Sequence, residues 1–151
     1  MPIKRYVRNI ETGIPGSGNL TPGMGKRFTV TAVLPGTMPA TAANYGVVFI
    51  APKKCSVKSV REAHTTLGTD GSAVGLNIEK LTGTQALDGG TALLSANINL
   101  KGANNTVQAG TFVTTAGALQ LNAGDRLALK DSGTLTAVAG VSVTIELEWD
   151  E

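Results

Sequence analysis

Histidine and cysteine each occur once in this chain of 151 residues, at His64 and Cys55. That scarcity excludes much catalytic and metal chemistry. Triads, zinc sites and general-base dyads usually set a histidine beside serine, cysteine or carboxylates. A lone cysteine forms no internal disulfide. Lys53 and Lys54 precede Cys55, an arrangement that can activate a thiol, but a small buried residue opening a strand is the expectation adopted. His64 falls at the end of a strand pattern and reads as a surface or turn histidine. Aromatic residues make up only 4%, which weighs against the stacking platforms of a nucleic-acid or sugar-binding surface. The one tryptophan, Trp149, alternates with Ile145 and Leu147 and is placed with the core. No apolar run reaches the length of a membrane span. The opening "MPIKRYVRNI" is not followed by an apolar stretch of the signal-peptide kind, so synthesis in a reducing cytosol is expected.

The remaining candidates for chemistry are weak. Asp70, Asp88, Asp125 and Asp131 fall in glycine-containing turns, but no dense D-x-D-x-D loop exists, and Asp and Gly populate turns for backbone reasons alone. The phosphate-loop pattern fails at "GMGK": Leu20 stands where its first glycine belongs, and Arg27 follows Lys26. No enzyme activity, cofactor or metal site is therefore expected.

What the chain does have is period-two alternation and turns. Hydrophobic residues make up 42%, charged residues 16%, and there are 19 glycines. In "FTVTAVLPG", Val30, Ala32 and Leu34 alternate with Thr29 and Thr31. "GVVFIAP" (46–52) reads as a strand buried on both faces. "CSVKSVREAHTTL" follows, with a bulge between Val57 and Val60. In "AVGLNIEKL", Val74, Leu76 and Ile78 alternate with Gly75, Asn77 and Glu79. Further strands are expected over 93–102, over 106–113 with Val107 and Val113 inward, and on either side of the turn at Gly124-Asp125. In "GVSVTIELEWDE", Val141, Val143, Ile145, Leu147 and Trp149 share one face. This is the spacing of an all-β protein, an antiparallel β-sandwich or jelly roll of about eight strands over residues 28–151.

Residues 1–27 differ. Lys4, Arg5, Arg8, Lys26 and Arg27 oppose one acid, Glu11, and seven of residues 13–25 are Gly or Pro. They read as an extended basic N-terminal arm. Ile3, Tyr6 and Ile10 are interspersed with its first cations. Such an arm is ordered only when a partner surface offsets the entropy lost, and it suits a fastening role, as an added strand or along an acidic surface. Net charge is +8 over residues 1–61 and −6 over 62–151. That asymmetry suits an acidic partner or head-to-tail self-association.

The body from about residue 46 to 148 resembles the small jelly-roll head decoration, or cement, proteins of tailed bacteriophages. The pieces that carry the resemblance are Val48-Phe49-Ile50-Ala51-Pro52, Thr69-Asp70-Gly71, Glu79-Lys80-Leu81-Thr82-Gly83 and Gly124-Asp125-Arg126-Leu127. The last is also similar to the late-strand turn of tumour-necrosis-factor-like jelly rolls. The resemblance implies a structural virion protein, without catalytic residues, that trimerises and binds the major capsid protein on the outer capsid surface. It further implies that the arm makes the shell contacts, so Ile3, Lys4, Arg5, Tyr6, Arg8, Ile10, Lys26 and Arg27 are the candidate capsid-binding residues. Trimerisation through one sheet would use strands 46–51 and 141–149. No membrane and no direct nucleic-acid contact are expected. A phage tail, fibre or carbohydrate-binding receptor module is the alternative.

Overall fold

The computed structural model describes residues 26–37 and 46–150; the arm residues before Lys26 lie outside them. Among the described residues there is no helix. Ten strands run β1 (Arg27–Thr37), β2 (Val47–Ile50), β3 (Cys55–Ala63), β4 (Gly75–Leu81), β5 (Thr91–Ala92), β6 (Ile98–Asn99), β7 (Gln108–Ala109), β8 (Gln120–Leu121), β9 (Arg126–Ser132) and β10 (Ala139–Trp149).

They form two antiparallel sheets. The first runs β1-β10-β3-β7, with β8 also on β3. The second runs β2-β9-β4-β5, with β6 also on β4. If β5 with β6, and β7 with β8, are each taken as one interrupted position, eight positions remain in the jelly-roll order, 1-8-3-6 facing 2-7-4-5. The all-β sandwich of two antiparallel sheets is as expected, while the strands number ten, five in each sheet, rather than about eight.

The alternation of β10 explains its place. Val141, Val143, Ile145 and Leu147 are buried, while Ser142, Thr144, Glu146 and Glu148 face outward. With β1 on one side and β3 on the other, β10 is interior to its sheet. The expected bulge in β3 is present: the register with β10 slips between Val57 and Ser59, leaving Lys58 as the extra residue. The β8–β9 turn closes through Asp125, whose Oδ2 accepts the Asn122 N–H at 2.8 Å, and Gly124 supplies the positive φ of 88°.

Four readings are corrected. Strand β2 is not buried on both faces: it is an edge strand, with Val47 and Ile50 exposed. The polar row of β4 is not on a solvated face. Asn77 and Glu79 are both buried, because the segment after β4 folds back over them. Asn77 Oδ1 accepts the Leu94 N–H and Nδ2 donates to the Leu94 carbonyl, so the side chain stands in for a neighbouring strand. The expected strands over 93–102 and 106–113 shrink to two residues each, and Val107 points to solvent. Asp131 lies within β9 rather than in a turn, and is buried.

Candidate functional site

Of the residues expected to form the arm, Ile3, Lys4, Arg5, Tyr6, Arg8 and Ile10 lie outside the described residues. Lys26 and Arg27 mark where the arm joins the body. Arg27 is the first residue of β1. Its Nε donates to Glu148 Oε2 at 2.9 Å and its Nη1 to Glu146 Oε1 at 3.4 Å. The hydrogen bond to Glu148, then the field of Glu146, push its pKa further up. The Lys26 carbonyl accepts the Trp149 N–H at 2.9 Å. Phe28, the next residue, stacks on Trp149 with ring centroids 4.0 Å apart and packs at 5.7 Å against Phe49. Lys53 Nζ sits 5.1 Å from the Trp149 ring centroid. Phe28, Phe49 and Trp149 thus form an aromatic cluster where β1, β2 and β10 meet, at the start of the described body.

Part of the charge asymmetry of the sequence is paired in space. Outward acids of β10 and its end meet cations of the first half: Glu146 and Glu148 pair with Arg27, Glu148 with Lys58 at 3.8 Å, and Asp150 with Lys54 at 3.7 Å. The cause is topological. The last strand inserts between the first and third, so opposite halves of the sequence lie side by side.

His64 is not a surface residue. It is 1% exposed, and its Nδ1 lies 3.0 Å from Oε1 of Glu62, also 1% exposed. Glu62 Oε2 accepts from Gln108 Nε2, which also donates to the Asn99 carbonyl. The alternation of β3 carries Glu62 inward with Val60, and His64 follows two residues on. Glu62 was legible only as one of the charged residues in that strand. Burial pushes its carboxyl pKa up, although His64 and Gln108 oppose the shift. Cys55 opens β3 fully buried, as expected, and burial pushes its thiol up to about 11.

Glu79 was missed by its pattern. Fully buried, it accepts the N–H groups of Asp88 at 2.8 Å and Gly90 at 3.1 Å. Arg126 Nη2 donates to the carbonyls of Gly83 and Gln85, and Lys130 pairs with Asp88. Loop 82–90 is thus tied down from beneath. Among the described residues, no three His, Cys, Asp or Glu side chains gather as a metal cluster, and the turn carboxylates do not converge.

No family model and no curated protein matches the chain. Among solved structures it is similar to a chain described as "Cyanophage Pam1 capsid asymmetric unit". The identity is 16%, the match covers 91% of this chain and 100% of that one, and the TM-score is 0.54. At that identity the likeness speaks to the fold. A second chain, from the disulfide-linked pili of Bacillus endospore appendages, aligns at 18% identity over 87% of this chain and 99% of that one. Its TM-score of 0.36 carries no argument.

Proposed function

We propose that this chain is a structural protein of a tailed-phage virion: a decoration or cement protein that sits as a homotrimer on the outer capsid surface and bridges capsid subunits. The observation that carries this reading is the fold match to a chain of a phage capsid, which spans 91% of this protein and all of that chain. The sequence resemblance to decoration proteins points the same way, and its quoted pieces all lie in the described body.

The body supplies a rigid platform and the arm the attachment. Arg27 is occupied by Glu146 and Glu148, so it anchors the arm's root, while Lys4, Arg5 and Arg8 pair with acidic shell residues. Ile3, Tyr6 and Ile10 fill shallow apolar pockets beside them. Each exposed ion pair contributes only about 0–1 kcal/mol. Strength comes from three arms engaging together, because linkage raises their effective concentration.

The test uses purified heads lacking the protein, mixed with full-length chain or with a variant lacking residues 2–25, and reads bound protein by sedimentation. Full-length chain binds, and less tightly as salt rises; the truncated chain does not. Full occupancy by the truncated chain would sink the arm model. Binding to host cells or glycans with none to heads would move the protein to a fibre or receptor-binding role.

A further inference from the structure

Two aspartates are followed directly by glycine: Asp70-Gly71 between β3 and β4, and Asp88-Gly89 between β4 and β5. In such a pair the glycine nitrogen can attack the aspartate side chain, because no Cβ blocks the approach and the backbone turns freely. The sequence marks both pairs alike, and the structure separates them. At Asp88-Gly89 the reacting groups are held. The N–H groups of Asp88 and Gly90 both donate to the buried carboxylate of Glu79, at 2.8 and 3.1 Å. The Gly89 N–H, on the nitrogen that would attack, donates to the Ala86 carbonyl at 3.1 Å. The Asp88 carboxylate is paired with Lys130, which keeps it ionised and so a poor electrophile.

Asp70-Gly71 is placed differently. Asp70 is half-buried, and Gly71, Ser72 and Ala73 are exposed. Among the described residues, the Asp70 carboxylate has no ion pair or hydrogen bond, and the Gly71 N–H has no acceptor. A Cβ at Gly71 would meet nothing within 4 Å, so the segment has room to move. Its one firm contact favours the attack. Lys101 Nζ donates to the carbonyls of Asp70 and Ser72. The Asp70 carbonyl belongs to the same peptide as the Gly71 nitrogen. An ammonium on its oxygen stabilises the charge that develops when this N–H loses its proton.

We infer that Asp70-Gly71 is a site of spontaneous aspartate isomerisation in the folded protein, and that Asp88-Gly89 is protected from it. The Gly71 nitrogen bonds to Asp70 Cγ. Its proton and the carboxyl's hydroxyl leave together as water, and a five-membered imide forms. Water then opens the imide by breaking one of its two C–N bonds. Breaking the bond at Cγ restores aspartate. Breaking the bond at the main-chain carbonyl carbon gives isoaspartate, in which the chain runs through Cγ and is one methylene longer. No oxidant or partner is needed. Lys101 bears on this step too. The carbonyl that it polarises is the one attacked on the way to isoaspartate. The carboxylate released there carries the oxygen that Lys101 already holds, so a hydrogen bond becomes an ion pair. The same step lengthens the main chain of the β3–β4 connection at this contact.

The test ages the full chain for weeks at neutral pH and physiological temperature, folded in buffer and unfolded in urea, and then digests it with trypsin. Cleavage after Arg61, Lys80 and Lys101 puts Asp70 in the peptide 62–80 and Asp88 in the peptide 81–101. Isoaspartate is read by chromatographic splitting of each peptide at unchanged mass, placed by fragmentation, with an unaged digest as the zero point. Unchanged mass excludes deamidation of Asn77, Asn97 or Asn99. In the folded chain isoaspartate should accumulate at Asp70 at least about tenfold faster than at Asp88, since the held loop must open before it reacts. In the unfolded chain the two rates should converge. Equal rates in the folded chain, or none at Asp70, overturn the assignment. A preference for Asp70 that persists in urea overturns it as well, since the cause would then be local sequence and not the fold.

Discussion

At the residue scale the informative side chains are the polar ones inside. Glu62 and His64 face each other across 3.0 Å within the sandwich, and Glu62 has its pKa raised chiefly by burial. The consequence for stability has a sign. An unfolded glutamate titrates near 4.3. Between that value and the raised native one, the folded state holds more protons than the unfolded state. This contribution to stability is therefore full below the unfolded value and is lost as pH rises through the native value. The variant Glu62→Gln keeps an amide that can bond Gln108 and removes the titration. Its melting temperature should fall less than that of wild type as pH rises from about 4 to about 7. An unchanged slope in thermal melts would assign the dependence elsewhere. Cys55 gives a second prediction at this scale. With its thiol pushed up to about 11 and no exposed surface, it should resist thiol reagents in the folded protein at neutral pH and react fully once denaturant unfolds it. Rapid native labelling, followed by absorbance, would contradict the burial.

At the element scale, alternation succeeded where a strand has one core face. Phe28, Val30, Ala32 and Leu34 in β1, and Val141 to Leu147 in β10, point as their period requires. It failed at β4, where Asn77 and Glu79 occupy polar positions of the pattern but are covered by the following segment. The covering residues lie 9 to 17 positions further on, beyond the reach of a strand's alternation, and nothing within β4 marks Glu79 as a partner for the N–H groups of Asp88 and Gly90. It failed again over 93–113, where Leu93 and Leu94 are both buried by packing rather than by a regular ladder. Close approach of backbones is equally non-local. At Gly133, φ is 76° and an added Cβ would stand 2.0 Å from the Ala73 carbonyl oxygen. Gly133→Ala should cost on the order of 2 kcal/mol or more, read as a lower denaturation midpoint in urea. A neutral result would mean that the 73–75 segment yields without penalty.

At the scale of the whole molecule, the proposed role divides the work between the body and the arm. Among the described residues, the fully buried core members lie between Ala51 and Leu147. The chain lacking the arm should therefore melt within a few degrees of full length while losing its hold on heads. A large drop in melting temperature would make the arm part of the fold. On the proposed role, salt should weaken the exposed ionic contacts of the arm, so raised salt should release protein from heads.

The order of residues by itself determined the class of the fold, the strong strands and the separation of a basic Gly/Pro-rich segment from an apolar body, because period and composition are local properties. Tertiary structure alone decided which strands are interior and which are edges. It placed His64 and Glu62 inside and joined oppositely charged parts of the sequence across β1, β10 and β3. Each of these depends on which distant segments become neighbours. Strand order sets that, and no stretch of sequence carries it.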